Sequence, residues 1–119
     1  MNTEKNLGFA TRQIHAGKIA NAAGALCAPI YQTSTFAFET VEQGGARFAG
    51  QEEGYIYSRL SNPSLTQVEE KLASLEGGEA AMAAASGMGA ISGTVLSILR
   101  CGDHLLADKT LYGCTFALF

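Results

Sequence analysis

Within GYIYSRLSNPS, residues 54–64, Tyr57 and Arg59 stand two positions apart, just ahead of Asn62-Pro63-Ser64. On an extended chain alternate side chains project to one side, so a phenol and a guanidinium would lie together there. That pair suits a phosphate, because arginine offers a planar charged fork and the phenol one more O–H donor. A second candidate anion site lies in AAASGMGAIS, residues 83–92, read as a strand end, a glycine turn and a helix start. The backbone N–H groups of Gly87, Met88 and Gly89 would be free at that helix N-terminus. Dipole and amides together favour an anion by about 0.3–1 kcal/mol, rising towards ~2 kcal/mol when partly buried. Each charge-assisted bond from an arginine such as Arg59 adds roughly 1.5–3 kcal/mol. The plainer alternative is that Gly87 and Gly89 only let the helix pack closely on the strand, and this segment alone does not decide between the two.

The same glycines also match a loose dinucleotide fingerprint, Gly87-x-Gly89-x-x-Ser92, with Asp108 near the spacing of a ribose-binding acid. Ser92 stands where the third glycine belongs, and some eighty residues precede a motif that normally opens its domain. The nucleotide reading is therefore the weaker one.

The elements that must position these groups are legible from Asn62 onward. Asn62 is a good N-cap, Pro63 suits the first turn, and Leu65, Val68, Leu72 and Leu75 follow at helical spacing until Gly77-Gly78. EAAMAAAS (79–86) and DHLLAD (103–108) read as buried strands. Between them GMGAISGTVLSILR gives a second helix with Ile91, Val95, Ile98 and Leu99 on its apolar face, and TLYGCTFALF begins a third. Residues 1–53 read as largely irregular, save a short helix in TVEQGGARFAG capped by Thr40 and ended at Gly50. The order helix, strand, helix, strand, helix is an α/β pattern with a parallel sheet. Two parallel strands do not make a covered sheet, so the chain is expected to be the front portion of a longer protein.

Composition narrows the class. Of 119 residues 47% are hydrophobic and 16% charged, which is neither a disordered nor a fibrous balance. A net charge of −3 argues against a general nucleic-acid binder. Ala80–Leu99 is broken by Ser86, Gly87, Gly89, Ser92 and Gly93, so a membrane span is not expected. Cys27, Cys101 and Cys114 are scattered, without CxxC or a nearby histidine pair; they read as reduced thiols in a cytoplasmic protein, with no metal site. The polar N-terminus, MNTEKNLGFATRQ, carries no signal-peptide pattern.

PIYQTSTF, GYIYSRLSNPS, LEGGEAAMAAASGMGAIS and GDHLLADKTLYGCT closely resemble, in order, segments of the Cys/Met-metabolism family of pyridoxal-phosphate (PLP) enzymes. The resemblance runs from about Gly8 to Phe119 and is more specific than any single glycine loop. It implies the N-terminal part of a fold type I, PLP-dependent transferase-like large domain: an arm over residues 1–60 reaching the neighbouring subunit, then the start of the PLP-binding α/β domain over 61–119. It also implies a homotetramer built from dimers that share active sites, acting on a sulfur-containing amino acid. By the same resemblance Tyr57 and Arg59 serve the phosphate of the neighbour's PLP, while Ser86, Gly87 and Met88 hold the phosphate within the subunit. Tyr112 would stack on the pyridine ring and belong to the acid–base apparatus at the substrate's γ-carbon, with Cys114 near that pocket. YGCT resembles the methionine γ-lyase branch, since relatives acting on cystathionine usually have glycine where Cys114 stands.

Taken alone, the same residues have ordinary explanations. Tyr57 and Arg59 on a loop would be surface residues, Tyr112 on a helix would be core, and Cys114 would be a small buried hydrophobe. His15 and His104 have no neighbour suggesting a base or ligand, and Asp103 and Asp108 read as flanking or capping residues. Lys5, Lys18, Lys71 and Lys109 lie outside the family's PLP-anchoring context, so the 119-residue chain alone is expected to be catalytically silent. The implied parent is a PLP-dependent carbon–sulfur lyase converting methionine to methanethiol, 2-oxobutanoate and ammonia. The alternatives are a cystathionine γ-lyase or γ-synthase with an unusual cysteine, and a non-catalytic remnant that associates with a full-length homologue.

Overall fold

A computed structural model describes residues 7–119; Lys5 and the first six residues of the expected arm lie outside the described residues. Five helices follow in order: α1 (Phe9–His15), α2 (Val41–Phe48), α3 (Pro63–Glu76), α4 (Gly87–Ile98) and α5 (Gly113–Leu118). The chain divides into two compact units, the first ending at Met82 and the second running Ala83–Phe119. Helices α1–α3 belong to the first and α4–α5 to the second.

The first unit is organised on α3. Asn62 caps it by accepting the Ser64 N–H at 2.9 Å, Pro63 opens it, and Gly77 closes it in the left-handed conformation at φ 69°. Helix α1 packs on α3, with the Arg12 guanidinium donating to the Ser74 carbonyl in the last turn of α3. A cation there complements the negative end of the helix dipole. The chain leaves α1 through Gly17, at φ 67°, where an added Cβ would come within 2.5 Å of the Gln67 carbonyl oxygen. Only glycine fits that approach. Helix α2 starts on Thr40, whose hydroxyl accepts from Gln43 N at 3.1 Å, and Gly50 follows it at φ 67°.

Helix α1 corrects the expectation of an irregular stretch before Thr40. Its seven residues are too few to show a period, and its Gly8 cap makes no side-chain bond. A helix that short is marginal by itself and forms through packing, here on α3.

The two expected strands do not form among the described residues. Neither 79–86 nor 103–108 is hydrogen-bonded into a ladder, and Met82 and Leu106 are 90% and 99% exposed. An apolar run becomes a strand only when it is paired into a ladder, and among the described residues neither run is. One isolated antiparallel bridge, Thr35 with Tyr57, is present. The apolar stripe of α3 is likewise uncovered: Leu65, Val68 and Leu72 are all exposed, while Ala16, Pro63 and Ala73 are the buried apolar side chains among the described residues. In the second unit Ile91, Val95 and Leu99 are half-buried, whereas Ile98 is exposed.

Candidate cofactor site

Tyr57 and Arg59 do not lie on an extended chain. Leu60 N and Ser61 N both bond back to the Tyr57 carbonyl, at 2.8 and 3.1 Å, so the pair sits on a turn entering α3. The turn still brings them together, with the Arg59 guanidinium carbon 5.2 Å from the centre of the Tyr57 ring. At that distance the ring's negative face attracts the cation. Both are exposed, beside an apolar cleft of about 370 Å³ lined in part by Phe36, Phe38, Phe48 and Ile56.

Helix α2 holds the loop before this turn. Arg47 donates to Glu52 at 3.1 Å and to the Tyr55 carbonyl at 3.5 Å, and its guanidinium lies 5.9 Å from the centre of the Phe38 ring. Phe36 packs on Tyr55 with ring centres 5.3 Å apart. Ser58 and Asn62 bond the turn to the segment 31–34, contacts between 24 and 31 residues apart that helix spacing does not encode.

In the second unit Ser86 is the N-cap of the 12-residue helix α4. Its hydroxyl accepts from Gly89 N at 3.0 Å, so one of the three amides expected to be free is already used. The N–H groups of Gly87 and Met88 have no partner among the described residues. Gly89 keeps the cap open, since a Cβ there would approach the Ser86 hydroxyl to 3.1 Å.

Helix α5 is tied to this cradle. Thr115, buried, donates its hydroxyl to the Met88 sulfur at 3.5 Å. Tyr112 is the N-cap of α5 at φ −55°, ψ 137°, and its carbonyl accepts from Phe116 N at 2.9 Å. Two residues within a helix would point about 200° apart. Tyr112 precedes the first turn, so its side chain and that of Cys114 escape this restriction. A side-chain hydrogen bond with Cys114 raises the Tyr112 phenol above its ordinary pKa, with desolvation adding a smaller share. A phenol donating to sulfur is stabilised in its neutral form. Tyr112 and Cys114 are both exposed, against the plain expectation of core residues.

The remaining polar candidates are turn residues. Asp108 accepts from both the N–H and the hydroxyl of Thr110, at 2.7 and 2.5 Å, which lowers its pKa. Asp103 accepts from Arg100 N at 2.8 Å. His15, His104 and Lys109 are exposed. Among the described residues no group of three or more His, Cys, Asp or Glu could hold a metal, and no helix is long and apolar enough to cross a membrane.

The family model for Cys/Met metabolism PLP-dependent enzymes matches residues 10–119. The chain belongs to that family. It is 68% identical over 110 residues to an L-methionine γ-lyase from Porphyromonas gingivalis, covering 92% of this chain and 28% of that protein. A second L-methionine γ-lyase, from Treponema denticola, is 66% identical over 113 residues, with 95% of this chain and 28% of the relative covered. Among solved structures, one described as a putative O-acetylhomoserine (thiol)-lyase from Campylobacter jejuni, with a pyridoxyl-lysine phosphate, superposes with a TM-score of 0.87. It is 35% identical and covers 95% of this chain and 28% of that one. The chain thus spans about 28% of the length of the curated relatives it matches.

Proposed function

We propose that this sequence supplies the phosphate- and ring-binding groups of a PLP-dependent carbon–sulfur lyase whose substrate is methionine. The observation that carries the reading is the 68% identity to a protein named L-methionine γ-lyase, against 43% to an O-acetyl-L-homoserine sulfhydrylase from Corynebacterium glutamicum. The products are methanethiol, 2-oxobutanoate and ammonia. Within the same reading the sheet of an α/β, fold type I domain is completed in the full-length enzyme, which is a cytoplasmic homotetramer of dimers sharing active sites. Residues 1–60 form the arm that reaches the neighbouring subunit.

The groups present fit PLP. Two unpartnered N–H groups, on Gly87 and Met88, stand at the capped start of a 12-residue helix, where a phosphate is favoured. Ser86 already accepts from Gly89 N, which leaves its O–H free to donate to a phosphate oxygen. The exposed Tyr112 ring is available to stack on a flat heterocycle, and Arg59 and Tyr57 donate to the phosphate of the neighbouring subunit. When bound, PLP withdraws electrons from the substrate's carbon skeleton. The chain's own residues orient it and manage one proton. Tyr112, a phenol neutral near neutral pH whose pKa is raised further beside Cys114, has a proton on its oxygen to deliver to the departing sulfur.

The test is substrate preference of the full-length enzyme. Methanethiol and 2-oxobutanoate from methionine, at a higher kcat/KM than 2-oxobutanoate from cystathionine, is the expected result. The reverse order would move the protein to the cystathionine branch.

A further inference from the structure

In the sequence Tyr-Ser-Arg the middle residue separates the two groups assigned to the phosphate. Ser58 faces the protein while its neighbours face outward. Its N–H donates to the Ser34 carbonyl at 2.9 Å, its hydroxyl donates to the Thr33 carbonyl, and its oxygen accepts from Asn62 Nδ2 at 2.8 Å.

Asn62 is only 6% exposed, so every polar atom of its side chain needs a partner. Each has one. The second Nδ2 hydrogen goes to the Tyr31 carbonyl at 2.9 Å, and Oδ1 accepts from Ser64 N at 2.9 Å. A main-chain carbonyl facing Nδ2 and a main-chain N–H facing Oδ1 fix which way the amide points. Tyr31 N in turn donates to the Ser64 hydroxyl at 2.9 Å, closing the network. One buried amide therefore joins three separate pieces of backbone: the segment at 31–34, the turn at 57–61 and the first turn of α3.

Such a hub does more than cap a helix. A long arginine on a turn loses conformational freedom when it binds, and an already rigid turn reduces that cost. The Arg59 guanidinium is further held over the Tyr57 ring. We infer that Ser58 and Asn62 are positioning residues that aim Tyr57 and Arg59 at the cofactor phosphate. The inference rests on the reading of Arg59 as a phosphate ligand, and a separate arm of the experiment tests that reading.

The experiment measures PLP dissociation from the full-length holoenzyme, followed by cofactor absorbance after dialysis. Ser58→Ala removes the hydroxyl, whereas Asn62→Asp keeps the oxygen that caps α3 but loses both donors. Each should weaken PLP binding about fivefold to tenfold, the scale of a lost hydrogen bond. Ser58→Thr, which retains the hydroxyl, should restore affinity. In a Tyr57→Phe/Arg59→Ala background Ser58→Ala should add nothing beyond about twofold, because residues acting through one another do not add. Additive losses, or unchanged PLP affinity in Ser58→Ala, overturn the inference and leave the function standing. Unchanged affinity in Tyr57→Phe/Arg59→Ala overturns the phosphate role itself, and the inference with it. If Asn62→Asp does not fold, the Ser58 series decides alone.

Discussion

The two units hold their candidate ligands by different means. In the second, the ties that place Ser86, Gly87 and Tyr112 are a cap spanning three residues and two helix starts, and one side-chain bond across 27 residues, Thr115 to Met88, joins the two helices. In the first, the turn bearing Tyr57 and Arg59 is held by backbone and side-chain bonds to backbone 24 to 31 residues away, and Arg47 of α2 bonds to the Tyr55 carbonyl in the loop before it. The difference fits the roles proposed for them. A phosphate cradle at a helix N-terminus is built from backbone groups whose direction the helix already sets. A guanidinium offered to another subunit has no such frame, and the frame must come from tertiary bonds.

On the proposed reading neither unit brings an amine in the family's anchoring context, and the largest expected effect is all-or-none. The 119-residue chain mixed with PLP should yield no stoichiometric covalent adduct after borohydride reduction and peptide mapping. An adduct on Lys109 would show that the second unit is a self-sufficient PLP site and would erase the contrast.

Next in size is Arg59→Ala in the full-length enzyme. Losing charge-assisted bonds worth roughly 1.5–3 kcal/mol each predicts PLP affinity lower by about one to two orders of magnitude. The contrast is sharpened by mixing this variant with one lacking its own PLP-anchoring lysine. If Arg59 serves the neighbour, a hybrid dimer has one site missing both groups and one site missing neither, so activity partly returns. No return despite demonstrated subunit exchange would put both units' ligands in the same subunit's site.

The same division decides what could be read in the sequence. Asn62-Pro63, Gly77 and Thr40 announce helix ends because a cap is a short-range bond with a short-range signature. The third helix was legible too, although it starts at Gly113, with Tyr112 as its N-cap, rather than within Thr110-Leu111-Tyr112. Three features were not. Helix α1 depends on packing against α3, more than fifty residues on. The strands depend on ladder partners that the two apolar runs lack among the described residues. Asn62 was legible as a cap through Oδ1 and illegible as a hub through Nδ2, whose partner Tyr31 lies 31 residues away.

The two caps differ in the same way. Ser86→Ala removes one exposed cap bond and should cost about 1 kcal/mol of stability, within the usual 0.5–2 range. Asn62→Ala removes a cap and also strands the Tyr31 carbonyl, so its cost should exceed that by a further ~1–3 kcal/mol. Urea denaturation of the two full-length variants side by side checks the order. Equal shifts in midpoint would mean that the non-local hub contributes no more than a local cap.

The smallest expected effect concerns the pairing of Tyr112 with Cys114 at the start of α5. The hydrogen bond to Cys114 is the main cause of the raised phenol pKa, so the neutral phenol persists to higher pH than an ordinary tyrosine. Cys114→Gly removes that cause. The phenol should then lose its proton at lower pH, and the alkaline limb of kcat/KM for methionine should move down the pH scale. The acid limb should stay where it is, because no carboxylate or imidazole is touched. If the thiol also fits the methylthio group, kcat/KM for methionine should fall more than for cystathionine, by about tenfold in the ratio. A fall equal for both substrates with an unmoved alkaline limb would make Cys114 a packing residue. The choice of methionine over cystathionine would then have to be made by residues other than Cys114.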